Sequence, residues 1–180
     1  MHPWHDIPVD ASRLADEFPA VIEVPRGSKN KYELDKTTGM LKLDRVLYSA
    51  VHYPADYGFI PRSFCDDGDP LDVLVLGQEP VYPLTMVAAR AIGVMRMRDD
   101  KGGDDKIIAV SVHDPAFNTY THFDQLPPHV MRQLRRFFLD YKVLEGKQVV
   151  IDEPLGPDDA RRILLDALEL YSTSIRPSLP

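Results

Sequence analysis

The 180-residue chain has a single cysteine, Cys65, which excludes an internal disulfide framework and leaves no thiolate cluster for zinc. Long apolar runs are also missing. The longest, such as VLVL at 73–76 and IIAV at 107–110, fall far short of the roughly 20 residues that span a bilayer. The N-terminus MHPWHDIP has neither the basic nor the apolar region of a signal peptide, so the chain is expected to be cytoplasmic. Positive charge is in deficit, with 21 Lys and Arg against 28 Asp and Glu and a net charge of −7. That balance argues against broad binding to nucleic acid or an anionic membrane, and leaves room for a local basic pocket. No Gly-rich phosphate loop and no dinucleotide fingerprint follows a strand, so a nucleotide would find no evident base or ribose site. There is no internal repeat, low-complexity segment or linker. With 44% hydrophobic and 27% charged residues, the expectation is one domain over 1–180, with 1–18 as an irregular N-terminal arm.

What the chain has in abundance is aspartate, in two clusters. The stretch DDGDPLDVLVL packs four aspartates into seven positions and runs straight into a strand-forming apolar segment. Two like charges about 4 Å apart repel by roughly 4 kcal/mol at an effective dielectric near 20. A cluster this tight calls for a cation. Gly68 permits a tight turn and Pro70 removes a backbone donor, so the stretch is turned or extended rather than helical. A second set, Asp99, Asp100, Asp104 and Asp105, lies in DDKGGDD.

Around these clusters the pattern predicts strands first and helices late. AVIEV (20–24) reads as a strand, KYEL and MLKLDRVLY as a hairpin about DKTTG, and YPADYGFIP as extended or looped. MVAARAIGVMRM and KIIAVSV read as a second hairpin with the acidic DDKGGDD at its tip. A helix is expected from Pro127 and Pro128, with Val130, Leu134, Phe137, Phe138 and Tyr141 on one apolar face. After the short strand KQVVI, a second begins near Pro157, with Asp158 and Asp159 at the positive end of its dipole and a stripe from Ala160 to Tyr171. The fold class is α+β and mainly β: a small, closed antiparallel barrel with flanking strands and two C-terminal helices.

Which cation is a question of ligand chemistry. A calcium EF-hand starting at Asp67 would put Leu71 at position five, Asp72 at the glycine position and Gln78 where glutamate belongs, so that reading fails. Zinc is unsupported, because the histidines are scattered. Carboxylate oxygens with little else favour Mg²⁺, with Mn²⁺ as a substitute. A solvated turn explains any one aspartate. It explains Asp67, Asp69 and Asp72 together with the second set much less well.

Lys29, Lys31, Arg45, Lys106 and Lys142 lie at element ends or in turns, near tyrosines 32, 53, 57 and 141. Each has an ordinary explanation: Lys31 and Glu33 as cross-strand surface charges, Arg45 as a snorkelling hairpin residue, Lys142 as a cation at a helix C-terminus. Carboxylates that hold divalent ions, facing cations that hold an anion, are nevertheless the combination that phosphoryl transfer requires.

The ordered motifs VIEVP, KYELD, LDRVL, YPADYGFIP, DGDPLDV, DDKGGDDK and FFLDYK resemble the soluble family I inorganic pyrophosphatases over most of the chain. The N-terminal HPWHD and the EPVYP and QLPP contexts resemble the plant and protist branch more than the commonest bacterial form. The resemblance implies a five-stranded barrel of the oligonucleotide-binding type, and Mg²⁺-dependent hydrolysis of pyrophosphate to two phosphates. It implies metal ligation by Asp67, Asp72, Asp99 and Asp104, with Glu23 in the outer shell or at a further metal. Asp69 would take a proton from a water held between two metals, with Tyr57 close by. Lys31, Glu33, Arg45, Tyr53, Lys106, Tyr141 and Lys142 would form the substrate site. Asp100 stands where many bacterial members have glutamate. A homo-oligomer is implied, hexameric by the bacterial pattern, with trimer and monomer as the other readings. The competing functions are another Mg²⁺-dependent phosphatase, such as one with an aspartyl nucleophile, and a non-catalytic barrel module that binds nucleic acid.

Overall fold

The run FPAVIEV forms β1 (Phe18–Val24), almost wholly buried, and the barrel is built around it. The computed structural model describes residues 1–99 and 102–176. On one side β1 pairs antiparallel with β4 (Asp56–Phe59), and on the other with β6 (Met86–Met95). Next come β5 (Asp72–Leu76) and β9 (Lys106–Ser111), and the order β1-β4-β5-β9-β6 closes on itself. Gly58 makes the β1–β4 seam possible: a Cβ there would lie 1.9 Å from the Val21 carbonyl oxygen.

The barrel departs from the expected antiparallel order at one seam. β5 and β9 run parallel, with Asp72 opposite Lys106. Parallel neighbours need a long crossover. Here it is β6 together with β7 (Met97–Asp99) and β8 (Gly102–Gly103), after which β9 returns between β5 and β6. Apolar runs carry no signal of strand direction, so only the packed arrangement reveals this. The β6–β9 hairpin is antiparallel as expected, and β10 (Val150–Ile151) pairs with β7 at its acidic tip. Outside the barrel, β2 (Asn30–Leu34) and β3 (Leu41–Val46) form the hairpin about DKTTG.

Both helices start at prolines. Along α1 (Pro128–Asp140), Leu134, Phe137 and Phe138 are buried, and Val130 is at the margin. Along α2 (Pro157–Ser174), Ala160, Leu164, Ala167 and Tyr171 are buried, with Asp158 and Asp159 in the first turn. The two-residue period of β5 divides the core: Leu74 and Leu76 join the cluster with Phe137 and Phe138, while Val73 and Val75 join the one with Leu164 and Ala167. The N-terminal arm is more ordered than expected. It has a 3-10 turn at Ala11–Arg13 and buries Trp4 and Leu14.

Candidate active site

The loop before β5 is tightly turned. Gly68 has φ +87°, the Cys65 N–H donates to the Asp69 carbonyl at 2.8 Å, and the Asp69 N–H donates to the Asp67 carboxylate at 3.0 Å. The Asp69 carboxylate pairs with Lys36. Asp72 is the first residue of β5, which aims it into the barrel mouth, where it accepts from the Tyr57 hydroxyl at 2.7 Å and pairs with Lys106. The Lys106 ammonium, 2% exposed, also pairs with Asp104. Burial pushes Asp72 up to about 6, with Lys106 pulling against it and Asp104 adding to it. Burial opposes the Lys106 charge, but the Asp72 and Asp104 carboxylates more than offset it and hold the ammonium well above its ordinary value.

Glu23 lies at an irregularity in the β1–β4 register, a bulge-like departure of the kind that re-aims side chains. It is 7% exposed and accepts the Leu34 N–H at 2.7 Å. Burial pushes it up to about 8, the Leu34 bond works against that, and Asp72 adds to it. Across the mouth, Asp99 pairs with Lys142 at 2.8 Å, while the Asp104 N–H donates to the Met97 carbonyl at 2.7 Å. Asp105 turns away to Arg96 at 2.9 Å, and Asp100 lies outside the described residues.

The opposite wall is basic. Lys31 and Arg45 are directly opposed across the β2–β3 hairpin, an arrangement that is unfavourable unless other charges intervene. Lys31 contacts Glu33 and, at 3.3 Å, Asp44. Arg45 contacts Asp44, and its Nε lies 3.1 Å from Glu145, although Arg45 Nε and Glu145 Oε2 are both buried without a hydrogen-bond partner. Lys142 sits 5.1 Å from the Tyr141 ring centre. The result is two cations at the hairpin and one near the end of α1, held by carboxylates that an incoming anion can replace.

A cavity of about 640 Å³ is lined by Glu23, Lys31, Glu33, Arg45, Tyr57, Asp67, Asp69, Asp72, Asp99, Asp104, Lys106, Tyr141 and Lys142. Tyr53 is placed differently from the other expected substrate-site residues. It is not on the wall but 2% exposed behind it, its ring 5.4 Å from that of Tyr57 and 4.7 Å from that of Phe137, where it backs the Tyr57 ring instead of facing a ligand. Lys29 and Asp66 are not on the wall either. Sequence reasoning missed Trp4, Lys36, Asp44 and Lys147, which are. Asp44 stands next to Arg45, and that adjacency is a usable signal; Lys36 is hidden in what reads as turn chemistry, and Trp4 in an arm whose sequence reads as irregular.

Among the described residues no three carboxylate, imidazole or thiol side chains converge closely enough to hold a metal as they stand. In this arrangement the Lys106 ammonium bridges Asp72 and Asp104. Burial also pushes Asp67 upward, so Asp67 and Asp72 are both held above their ordinary range. A divalent cation is the partner that would restore their charge, and an all-oxygen donor set fits a hard one.

An inorganic pyrophosphatase family model matches residues 20–172. Soluble inorganic pyrophosphatase 2 of Chlamydomonas reinhardtii is 51% identical over 177 residues, covering 98% of this chain and 91% of that protein. A soluble inorganic pyrophosphatase of Solanum tuberosum is 52% identical, with coverage of 99% and 84%. Among solved structures, the inorganic pyrophosphatase of Thermus thermophilus superposes with a TM-score of 0.87 at 40% identity, over 92% of this chain and 97% of that one. These algal and plant relatives agree with the branch that the HPWHD context resembles. With the barrel, the cavity lined by carboxylates and cations, and these likenesses together, the chain belongs to the soluble family I inorganic pyrophosphatases.

Proposed function

We propose that the chain hydrolyses inorganic pyrophosphate to two orthophosphates, in a reaction supported by Mg²⁺, with all 180 residues acting as one domain. The observation that carries this reading is a single cavity lined by both carboxylates and cations. That pairing suits a small polyanion that arrives with metal. Asp67, Asp72, Asp99 and Asp104 would hold the metal, with Glu23 behind them. Bound Mg²⁺ supplies charge neutralisation and lowers the pKa of water.

Asp69 takes a proton from the attacking water, and Tyr57 orients Asp72 through its 2.7 Å hydrogen bond. Lys31, Arg45, Lys106, Tyr141 and Lys142 grip phosphate oxygens, and Glu33 holds Lys31 in place until substrate arrives. Tyr53 supports Tyr57 from behind. The chain works in the cytoplasm as a homo-oligomer, hexameric by the family's bacterial pattern. No described helix is long and apolar enough to cross a membrane.

The test compares phosphate release from pyrophosphate, tripolyphosphate and ATP with and without Mg²⁺. Release from pyrophosphate should dominate and require the metal; faster release from ATP would overturn the substrate assignment. Asp69→Asn should lower turnover about 10²–10⁴-fold, leaving a measurable residual rate, without loss of fold.

A further inference from the structure

The N-terminal arm lies outside the span that the family model matches, yet it reaches the catalytic loop from two sides, through the β2–β3 turn and through Arg62 and Ser63 at the loop's base. On one side, the His2 ring Nε2 lies 3.1 Å from the Lys36 carbonyl oxygen. Gly39, in the same turn, approaches the arm so closely that a Cβ would sit 3.1 Å from both His2 and Pro3. The turn is closed by its own hydrogen bonds: the Gly39 N–H donates to the Asp35 carbonyl at 2.8 Å, and the Asp35 carboxylate accepts the Thr38 N–H at 2.9 Å. From this platform the Lys36 ammonium donates to the Gly68 carbonyl at 2.8 Å and pairs with the Asp69 carboxylate.

On the other side, Trp4 Nε1–H donates to the Ser63 carbonyl at 2.8 Å, and the Arg62 N–H donates to the Trp4 carbonyl at 2.8 Å. The Ser63 hydroxyl oxygen in turn accepts the Leu71 N–H at 2.8 Å. The loop that carries Asp67 and Asp69 is therefore tied to the arm at its base and, through Lys36, at its tip.

We propose that Lys36 is a positioning residue for Asp69, and that the arm fixes Lys36 for this task through its His2 contact. The proposal rests on the reading of Asp69 as proton acceptor. At 45% and 51% side-chain exposure, the Lys36–Asp69 pair adds little to stability. Its effect is geometric. A general base has to sit within about 2.6–3.2 Å of the proton it takes. Asp69 lies on an exposed loop with Gly68 in the left-handed region, and a drift of about 1 Å there is enough to slow turnover strongly. By holding both Gly68 and Asp69, Lys36 removes that freedom.

The test is steady-state kinetics of the full chain with pyrophosphate and Mg²⁺. Lys36→Ala should lower kcat about tenfold and leave KM within about twofold. Lys36→Arg should recover most of the loss, and His2→Ala should show a smaller loss in kcat, about threefold. A purely structural role would reduce activity by the same factor in any background. A role exercised through Asp69 predicts that Lys36→Ala has no further effect once Asp69→Asn is present. A silent Lys36→Ala beside a strongly slowed Asp69→Asn overturns the brace alone, as does an undiminished Lys36→Ala effect on the residual rate of the Asp69→Asn variant. Full activity of Asp69→Asn overturns the base assignment and the brace with it.

Discussion

The floor of the cavity and its rim use the same chemistry with opposite consequences. On the floor, Asp72 and Lys106 face each other across parallel barrel strands, the lysine 2% exposed and shared with Asp104. At the rim, Lys31 and Arg45 stand on a hairpin outside the barrel, with Glu33, Asp44 and Glu145 around them. A buried charge that loses its partner has no water to turn to, whereas a rim charge exchanges a carboxylate for a phosphate at little net cost. An unpaired charge is therefore costlier on the floor than at the rim.

The most severe way to break this contrast is Asp72→Ala. It leaves Lys106 buried with one partner instead of two, and removes the acceptor of the Tyr57 hydroxyl. The expected loss is about 3–5 kcal/mol, read by denaturant unfolding, together with loss of turnover. A loss under about 1 kcal/mol would mean that the floor behaves like the rim.

Glu23 sharpens the same contrast through pH. It is pushed from 4.5 up to about 8, mainly by burial, so the folded chain keeps a proton that the unfolded chain gives up. A raised carboxyl contributes stability that is complete below the unfolded value and is lost as pH rises through the folded one. The metal-free chain should thus lose stability between about pH 4.5 and 8, by an amount of order a few kcal/mol. Glu23→Gln, which can still accept the Leu34 N–H, should flatten that slope in melts recorded across the window.

Rim substitution is milder for stability. Arg45→Ala should change unfolding free energy by about 1 kcal/mol, less than Asp72→Ala, because Asp44 is 29% exposed even though Glu145, 13% exposed, loses its cation. It should raise KM for pyrophosphate about tenfold, as one phosphate-gripping cation is gone. Equal effects of Arg45→Ala and Asp72→Ala on stability would erase the distinction between floor and rim.

Much of this arrangement is legible in the amino-acid sequence. The continuous apolar run after Asp72 and the prolines at 128 and 157 place β5 and both helices, and DGDPLDV marks a carboxylate cluster, crowding that has few uses without a cation. The parallel β5–β9 seam is not legible there, since direction is decided by which strands close the barrel. The place of Tyr53 behind Tyr57 is not legible either, because position along the chain says nothing of which side of a packed ring faces the cavity. Lys36 escapes notice for a related reason: DKTTG is an adequate turn on local grounds, and its contact with Asp69 joins a hairpin turn to a separate loop far along the chain.

The smallest expected effect belongs to Cys65, which sits beside the aspartates without sharing their work. Its thiol is half-buried under the α2 side of the core and lines a second cavity of about 470 Å³ that shares Asp67, Asp72 and Asp104 with the first. Burial pushes the thiol up to about 12, and the neighbouring Asp67 and Asp72 carboxylates push the same way. A thiolate there would add another negative charge to a wall that already needs a cation, so at about pH 8 the group stays protonated and a poor nucleophile. Its hydrogen bond to the Asp69 carbonyl comes from the backbone N–H, which any residue except proline retains. Cys65→Ala should therefore keep kcat and KM within about twofold and cost on the order of 1 kcal/mol, from lost packing alone. In the unchanged chain, iodoacetamide at about pH 8 should alkylate Cys65 far more slowly than the same residue in the urea-unfolded chain. Rapid alkylation in the folded state would show that the carboxylate wall does not set the electrostatics of its own back face.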